Sequence, residues 1–433
     1  MQEMVHKDQL KGHKAVVVGA GRSGLSAAAL LAGLGAGVRL LEKRTDFDAS
    51  LLESRGLSEV QLVLGEHRQE HFKDVDLVVV SPGISLSMVK DLCPGGRTVI
   101  SELELASWFI SEPVIAVTGT NGKTTTCMLI QKVLEKAGRR VFTGGNIGTP
   151  LSDHVLSGAR ADMLVLEVSS FQLQGCSGFA PHVGVLLNFS ANHLDHHKSE
   201  DEYFQAKMQL FARQSSMDLA VLPLELRGKI EGDFRIKSNI TYFAPTGRFD
   251  CPALPGAHNQ ANMEAAMLAC GFLDVSRKTF DQTLLEFVPP PHRQEVFLQD
   301  KGVTYINDSK ATTLEALAAA IQAFDAPIRL LAGGKYKGGD FSLLARTLQE
   351  KAAKVYLFGH SREIFENAWK DSVKLEYFPD LEQAAARAVQ EADFGDNVLL
   401  SPGTSSFDLF NNYQERGEAF KEKVKQETGM KIQ

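Results

Sequence analysis

The chain has 433 residues, 44% hydrophobic and 23% charged, a length that calls for more than one hydrophobic core. A formal net charge of −7 argues against nucleic acid or a membrane surface as the main partner, and no apolar run reaches the roughly 18 residues of a membrane span. The polar start Met1–Lys11 has no signal-peptide core, and five scattered cysteines form neither a disulfide framework nor a zinc spacing, so a cytoplasmic location is expected.

Short β-branched runs alternate with amphipathic helical stretches, the pattern of parallel strands joined by right-handed crossovers. In the first block, Ala15–Val18 predicts a strand, Gly19-Ala20-Gly21-Arg22-Ser23-Gly24 a tight turn, and the Ala/Leu-rich stretch after it a helix. Val38–Leu41 and Leu77–Val80 predict further strands. Three spaced glycines after a strand, with Glu42 ending the next one, match a dinucleotide fingerprint, whose glycines let a diphosphate approach the backbone. A nicotinamide-dependent dehydrogenase carries the same signature. Ser81-Pro82-Gly83 taken alone reads as an ordinary turn. Glu112-Pro113 marks a boundary, because proline disfavours helix for the residue before it.

The second block, Val114 to about Val288, opens on an apolar run that stops at Gly119-Thr120-Asn121-Gly122-Lys123-Thr124-Thr125. A helix is predicted over Thr124–Ala137. Small residues leave successive backbone N–H groups free to face a phosphate, and the helix N-terminus adds partial positive charge. Lys123 can reach the outer phosphates of ATP, and the Thr124 hydroxyl is placed to hold Mg²⁺. The loop is short, since Val117 occupies the position of the usual first glycine. Further strands are predicted at Met163–Leu166, Val183–Leu187 and Leu219–Leu222. Glu167 closes the first of these as a metal-binding acid should. Gly144–Gly148 reads as a flexible loop bearing one amide, Asn146. Among the clustered His193, His196 and His197, the last two read as incidental residues of a surface turn. Lys207, in a helix predicted over Glu200–Arg213, reads by itself as a solvated charge, and Asn259 as a helix cap.

Pro289-Pro290-Pro291 forms a stiff connector to the third block, with strands predicted at Val303–Ile306, Ile328–Leu331, Val355–Phe358 and Val398–Leu400. The expected architecture is three consecutive α/β domains, 1–112, 113–288 and 289–433, with the active site in the clefts between them.

Thr118–Thr125 resembles the compact phosphate loop of the Mur ligase and folylpolyglutamate synthase superfamily, which makes amide bonds with ATP. The resemblance runs in order from Gly19 to Gly417. It implies a Rossmann-like first domain, a P-loop ATPase-like central domain and a Rossmann-like third domain. Glu167-Val168-Ser169-Ser170-Phe171-Gln172-Leu173 is similar to the branch that adds D-glutamate to UDP-N-acetylmuramoyl-L-alanine, and the nucleotide-type first block argues against a folylpolyglutamate-type ligase.

By that resemblance, the UDP diphosphate lies on Gly19, Gly21, Ser23 and Gly24, with Ser81, Pro82 and Gly83 nearby. The uracil lies near Glu42, Lys43 and Arg44, while Asn146 and Lys310 contact other parts of the same substrate. ATP contacts Gly119 to Thr125, Asn262, Arg293 and Asp308. Two Mg²⁺ ions are implied, one on Thr124 and Glu167, the other on His193 and a CO₂-derived carbamate of Lys207. Lys123 joins Glu167, His193 and Lys207 as the catalytic set, and D-glutamate lies on Thr312, Lys337, Ser406 and Tyr413. A monomer is expected. The chain departs from the family pattern at Asn192, usually aspartate, at Gln294, usually aromatic, and at Gly403-Thr404-Ser405, commonly Ala-Cys-Ala.

Overall fold

The computed structural model describes residues 10–93, 97–190, 197, 199–251, 253–254, 256–336 and 338–429. It divides into two compact units, Met1–Thr246 with Ala261–Leu285, and Gly247–Gln260 with Glu286–Gln433. Among the described residues no helix is long and apolar enough to cross a membrane.

The first unit holds two sheets. One is built from β1 (Lys14–Val18), β2 (Gly37–Glu42), β3 (Gln61–Leu64), β4 (Leu77–Val80) and β5 (Thr98–Ser101), in the order β3-β2-β1-β4-β5. Every pairing in it is parallel. The second comprises β6 (Val114–Thr118), β7 (Val141–Gly145), β8 (Met163–Glu167), β9 (Val183–Leu186), β10 (Leu219–Pro223) and β11 (Asn239–Phe243). Its order is β11-β10-β9-β6-β8-β7, again wholly parallel. Central strands such as β1 and β6 are buried on both faces, which is why they read as unbroken apolar runs rather than alternations.

One apolar core runs through both sheets, joining Leu25, Leu31 and Leu103 to Leu151, Leu164 and Phe179. A buried carboxylate adds to this join. Glu104, on the helix Glu102–Ser107, accepts from the N–H groups of Ser177 (3.2 Å), Gly178 (2.9 Å) and Phe179 (2.9 Å) on the second sheet's side. A charge held by several backbone donors satisfies its own solvation requirement where water is excluded.

The second unit carries β12 (Glu295–Asp300), β13 (Val303–Asn307), β14 (Ile328–Gly333), β15 (Ala352–Phe358), β16 (Leu375–Phe378) and β17 (Asn397–Leu400), ordered β12-β13-β17-β14-β15-β16. Here the expected parallel pattern needs correction, because β12 pairs antiparallel with β13. The two-residue connection, Lys301 (φ 49°) and Gly302 (φ 80°), has the left-handed backbone that suits a tight hairpin. Two other elements also differ from expectation. Gly144 and Gly145 are not loop but the end of β7, and the helix from Glu200 ends at Met208, followed by a 3₁₀ turn over Gln209–Phe211. In the two sheets of the first unit the strand order reverses about β1 and about β6, and Gly19, Ser81 and Gly119 follow the carboxyl ends of β1, β4 and β6.

Candidate active site

Beyond β1, β2 and β4 lies a cavity of about 560 Å³. Gly19, Gly21 and Ser23 line one wall, Glu42, Lys43 and Arg44 a second, and Ser81, Pro82 and Gly83 a third. Gly145, at the end of β7, and Asn146 and Gly148, on the loop after it, also line the cavity. Gly24 plays another part. A β-carbon there would run into the Gly19 carbonyl and the Ser81 hydroxyl, so its absence lets the helix Arg22–Gly33 sit directly on the turn.

Ser81 is more than an ordinary turn residue, because its hydroxyl donates to the Gly19 carbonyl at 2.9 Å and fixes the glycine loop. Glu42 is also committed to the protein. Its carboxylate accepts from the N–H of Ala20 (2.9 Å) and from the N–H (3.0 Å) and Nε (3.2 Å) of Arg44. Burial opposes its ionisation, but the Arg44 and Ala20 N–H groups and the Arg44 guanidinium outweigh it, leaving the pKa below the ordinary carboxylate value.

Beyond β6, the phosphate loop leads into the helix Lys123–Lys136, whose N-cap Gly122 offers no side chain to the first-turn N–H groups. Gly122 has φ +83°, and a β-carbon there would sit 2.5 Å from Asn262 Oδ1, so Asn262 lies against the loop. Thr125 is buried in the first turn. Lys123 Nζ donates to the Gly119 and Thr120 carbonyls, each at 2.9 Å. The Thr124 hydroxyl donates to Glu167 Oε2 at 2.6 Å, while Asn146 Nδ2 donates to Glu167 Oε1 at 2.7 Å. A hydroxyl and a carboxylate side by side are hard oxygen donors and fit Mg²⁺. Among the described residues no three His, Cys, Asp or Glu groups come together as a metal site.

Sequence reasoning missed the residue that shapes this loop. Asn188, just beyond β9, accepts through Oδ1 from the N–H groups of Thr120 (3.1 Å) and Asn121 (2.9 Å) and donates to the Asn121 carbonyl (3.2 Å). The available signal was a lone amide at the end of an apolar strand.

Lys207 is not a solvated helix charge. It is 1% exposed, donates to the Gly119 carbonyl at 2.9 Å and lies 4.3 Å from the centre of the Tyr203 ring. Burial first, and then the charge of Lys123, push its pKa well below that of an ordinary lysine. His197 also departs from expectation. It is buried, with Nε2 3.0 Å from the Ser170 hydroxyl and its ring stacked on Phe171. Asn192, His193, His196 and Lys337 lie outside the described residues.

In the second unit, Asp308 follows β13 and is buried, accepting from the N–H of Gln294 (3.1 Å) and the hydroxyl of Ser401 (2.9 Å). Burial pushes its pKa up to about 7. Arg293 stands between two residues with left-handed backbone, His292 (φ 64°) and Gln294 (φ 47°). Lys310 belongs to this unit, where Nζ donates to the Tyr413 hydroxyl at 3.0 Å. Thr312 is half-buried on the same connection and Ser406 is buried beyond β17. Asn259 is buried within the helix Ala257–Gly271 rather than preceding it as a cap.

Three family models match the chain: the Mur ligase MurD-like N-terminal domain over residues 13–92, the Mur ligase middle domain over 117–241, and the Mur ligase glutamate ligase domain over 292–403. The UDP-N-acetylmuramoylalanine–D-glutamate ligase of Desulfovibrio desulfuricans is 47% identical over 416 residues, covering 95% of each chain. That of Geotalea uraniireducens is 37% identical over 445 residues, covering 96% of this chain and 98% of its own. Among solved structures, the MurF ligase of Thermotoga maritima in complex with ADP covers 99% of each chain, with a TM-score of 0.63 and 18% identity, a likeness of fold.

Proposed function

The chain belongs to the Mur ligase family, and from that premise we propose that it joins D-glutamate to UDP-N-acetylmuramoyl-L-alanine with ATP, a step of peptidoglycan precursor synthesis. One residue carries the reading. Asn146 lines the first-sheet cavity and also donates to Glu167 beside the phosphate loop, so two nucleotide-type sites share a wall. A dehydrogenase has no use for the second site. A ligase must bring the carboxylate end of one nucleotide-bearing substrate to the γ-phosphate of another.

In the proposed reaction the alanyl carboxylate attacks the γ-phosphate and ADP leaves, giving an acyl phosphate. The D-glutamate amine then attacks the acyl carbon, the amine proton is lost, and inorganic phosphate leaves. The glycine loop, pinned by Ser81 and Glu42, holds the diphosphate of the first substrate. Backbone N–H groups at the start of the helix Lys123–Lys136 orient the ATP phosphates, and Lys123 turns from its own loop carbonyls to the transferring group. Thr124 and Glu167 fit one Mg²⁺, and His193 with carbamylated Lys207 would hold the second. Magnesium supplies neutralisation of phosphate charge when bound. The buried amine of Lys207, whose pKa burial lowers, supports the carbamate, since only a neutral amine adds CO₂.

Arg293, Asp308 and Asn262 complete the ATP contacts in this reading, Lys310 reaches the muramoyl substrate, and Thr312, Lys337, Ser406 and Tyr413 take D-glutamate. The protein acts as a cytoplasmic monomer of three domains, 1–112, 113–288 and 289–433. ADP formation with the muramoyl substrate and a panel of amino acids tests the function. D-Glutamate should support turnover, and equal rates with L-alanine or diaminopimelate would refute the assignment.

A further inference from the structure

Arg416, in the first turn of the helix Tyr413–Thr428, is fully buried, and its guanidinium reaches the ends of three strands. Beyond β13, Nε donates to the Ser309 hydroxyl (3.1 Å) and Nη2 to the Ser309 carbonyl (2.8 Å). Beyond β17, Nη2 donates to the Thr404 carbonyl (3.2 Å), and at the end of β14, Nη1 donates to the Gly333 carbonyl (3.4 Å). The same loops are laced to one another. Lys335 N–H donates to the Ser405 carbonyl (2.8 Å), Ser405 N–H to the Lys335 carbonyl (3.1 Å), and Gly403 N–H to the Ala311 carbonyl (2.9 Å).

No carboxylate hydrogen-bonds to this guanidinium among the described residues. The acidic groups whose charge it feels, Asp408 and Asp308, are bonded elsewhere, to the His360 N–H and to the Ser401 hydroxyl. A buried cation without an ion-pair partner is costly to keep, and carbonyl dipoles offset only part of that cost. Burial lowers its pKa to about 10, so it stays charged at neutral pH. The loops it gathers are those that bear the acceptor residues. Thr312 follows Ser309, Ser406 follows Thr404, and Tyr413 lies three residues before it on the same helix.

We propose that Arg416 is the positioning residue of the amino-acid pocket, drawing three strand-end loops into one rim and giving that rim a fixed positive potential that favours an amino acid with a second carboxylate. The inference rests on the placement of D-glutamate proposed above. Lysine keeps the charge but, as a point donor, spans fewer of the carbonyls, while glutamine loses both charge and reach.

The test compares KM for D-glutamate, ATP and the muramoyl substrate in the full chain and in Arg416→Lys and Arg416→Gln. If the unaltered chain does not use D-glutamate, the functional reading fails before any variant is considered. If it does, Arg416→Gln should raise the D-glutamate KM by about 10- to 100-fold, leaving the other two within about twofold. Arg416→Lys should fall between, and preference for D-glutamate over D-glutamine should shrink in the glutamine variant only. An unchanged D-glutamate KM, or all three KM values rising together, overturns the proposal. Should Arg416→Gln fail to fold, Ser309→Ala decides, since it removes one contact of the guanidinium. A severalfold rise confined to D-glutamate supports the inference, and no rise overturns it.

Discussion

Lys123 and Lys207 both donate Nζ to the carbonyl oxygen of Gly119, each at 2.9 Å. Two amines that share one acceptor in a buried place disfavour each other's charge, and the more buried, Lys207, is the one whose pKa falls well below normal. Its neutral form can take up CO₂ and become anionic. Lys207→Ala is expected to lower kcat by on the order of 10²-fold or more, with partial recovery on adding a short-chain carboxylic acid. Activity of the unaltered protein should fall in CO₂-free buffer and return with bicarbonate, and mass spectrometry of the intact protein should find the adduct. Full activity in Lys207→Ala would remove the carbamate from the mechanism.

Lys123→Ala tests the phosphate loop. Its ammonium donates to the Gly119 and Thr120 carbonyls of its own loop, and the loss of these two bonds should cost folding about 1 kcal/mol each. Its charge matters in the transition state, where removal should lower kcat by on the order of 10²-fold. Steady-state kinetics beside a thermal melt separates the two effects. Near-normal turnover in a folded variant would place ATP elsewhere.

The strands legible in the sequence were those buried on both faces, because burial leaves an unbroken apolar run. β3 and β11 stand at sheet edges with exposed residues, and β12 is an antiparallel edge, so none of them leaves such a run. The glycine turn and Gly122-Lys123-Thr124 were legible because a sharp strand-to-helix turn needs glycines with left-handed backbone, as at Gly19 (φ 93°) and Gly122 (φ 83°). Lys207 was not, since no local pattern distinguishes a helix lysine facing solvent from one turned into a phosphate loop 88 positions away. Its burial depends on tertiary packing, and only the family resemblance pointed to it. His197 and Asn188 were hidden for the same reason, as each acts on a partner distant in sequence.

Asn188→Ala should damage ATP binding selectively. The amide fixes the N–H groups of Thr120 and Asn121, and its loss leaves the loop to satisfy them otherwise, at about 1–3 kcal/mol. ATP affinity should drop roughly 10- to 100-fold, with little change in the KM for D-glutamate. Titration calorimetry with a nonhydrolysable ATP analogue measures this directly, and unchanged affinity would show that the loop keeps its shape unaided.

A pH dependence should come from Glu102, where the first two sheets meet. Oε1 accepts from the Ser152 N–H at 2.7 Å, but Oε2 is buried without a partner among the described residues. Burial raises its pKa, Asp153 adds to the rise, and the Ser152 hydrogen bonds only partly oppose it. The folded protein therefore binds this proton more tightly than the unfolded chain does. The stabilisation is fully present below the unfolded pKa, near 4.3, and is lost as pH rises through the raised folded value. Glu102→Gln keeps the shape and an acceptor for Ser152 while removing the charge. Its melting temperature should match the unaltered protein at low pH and exceed it increasingly above, levelling off once Glu102 is ionised in both states. Melts across pH 4 to 9 measure the difference. A constant offset, or a glutamine variant less stable at high pH, would mean that the buried carboxylate is stabilised as an anion by its surroundings.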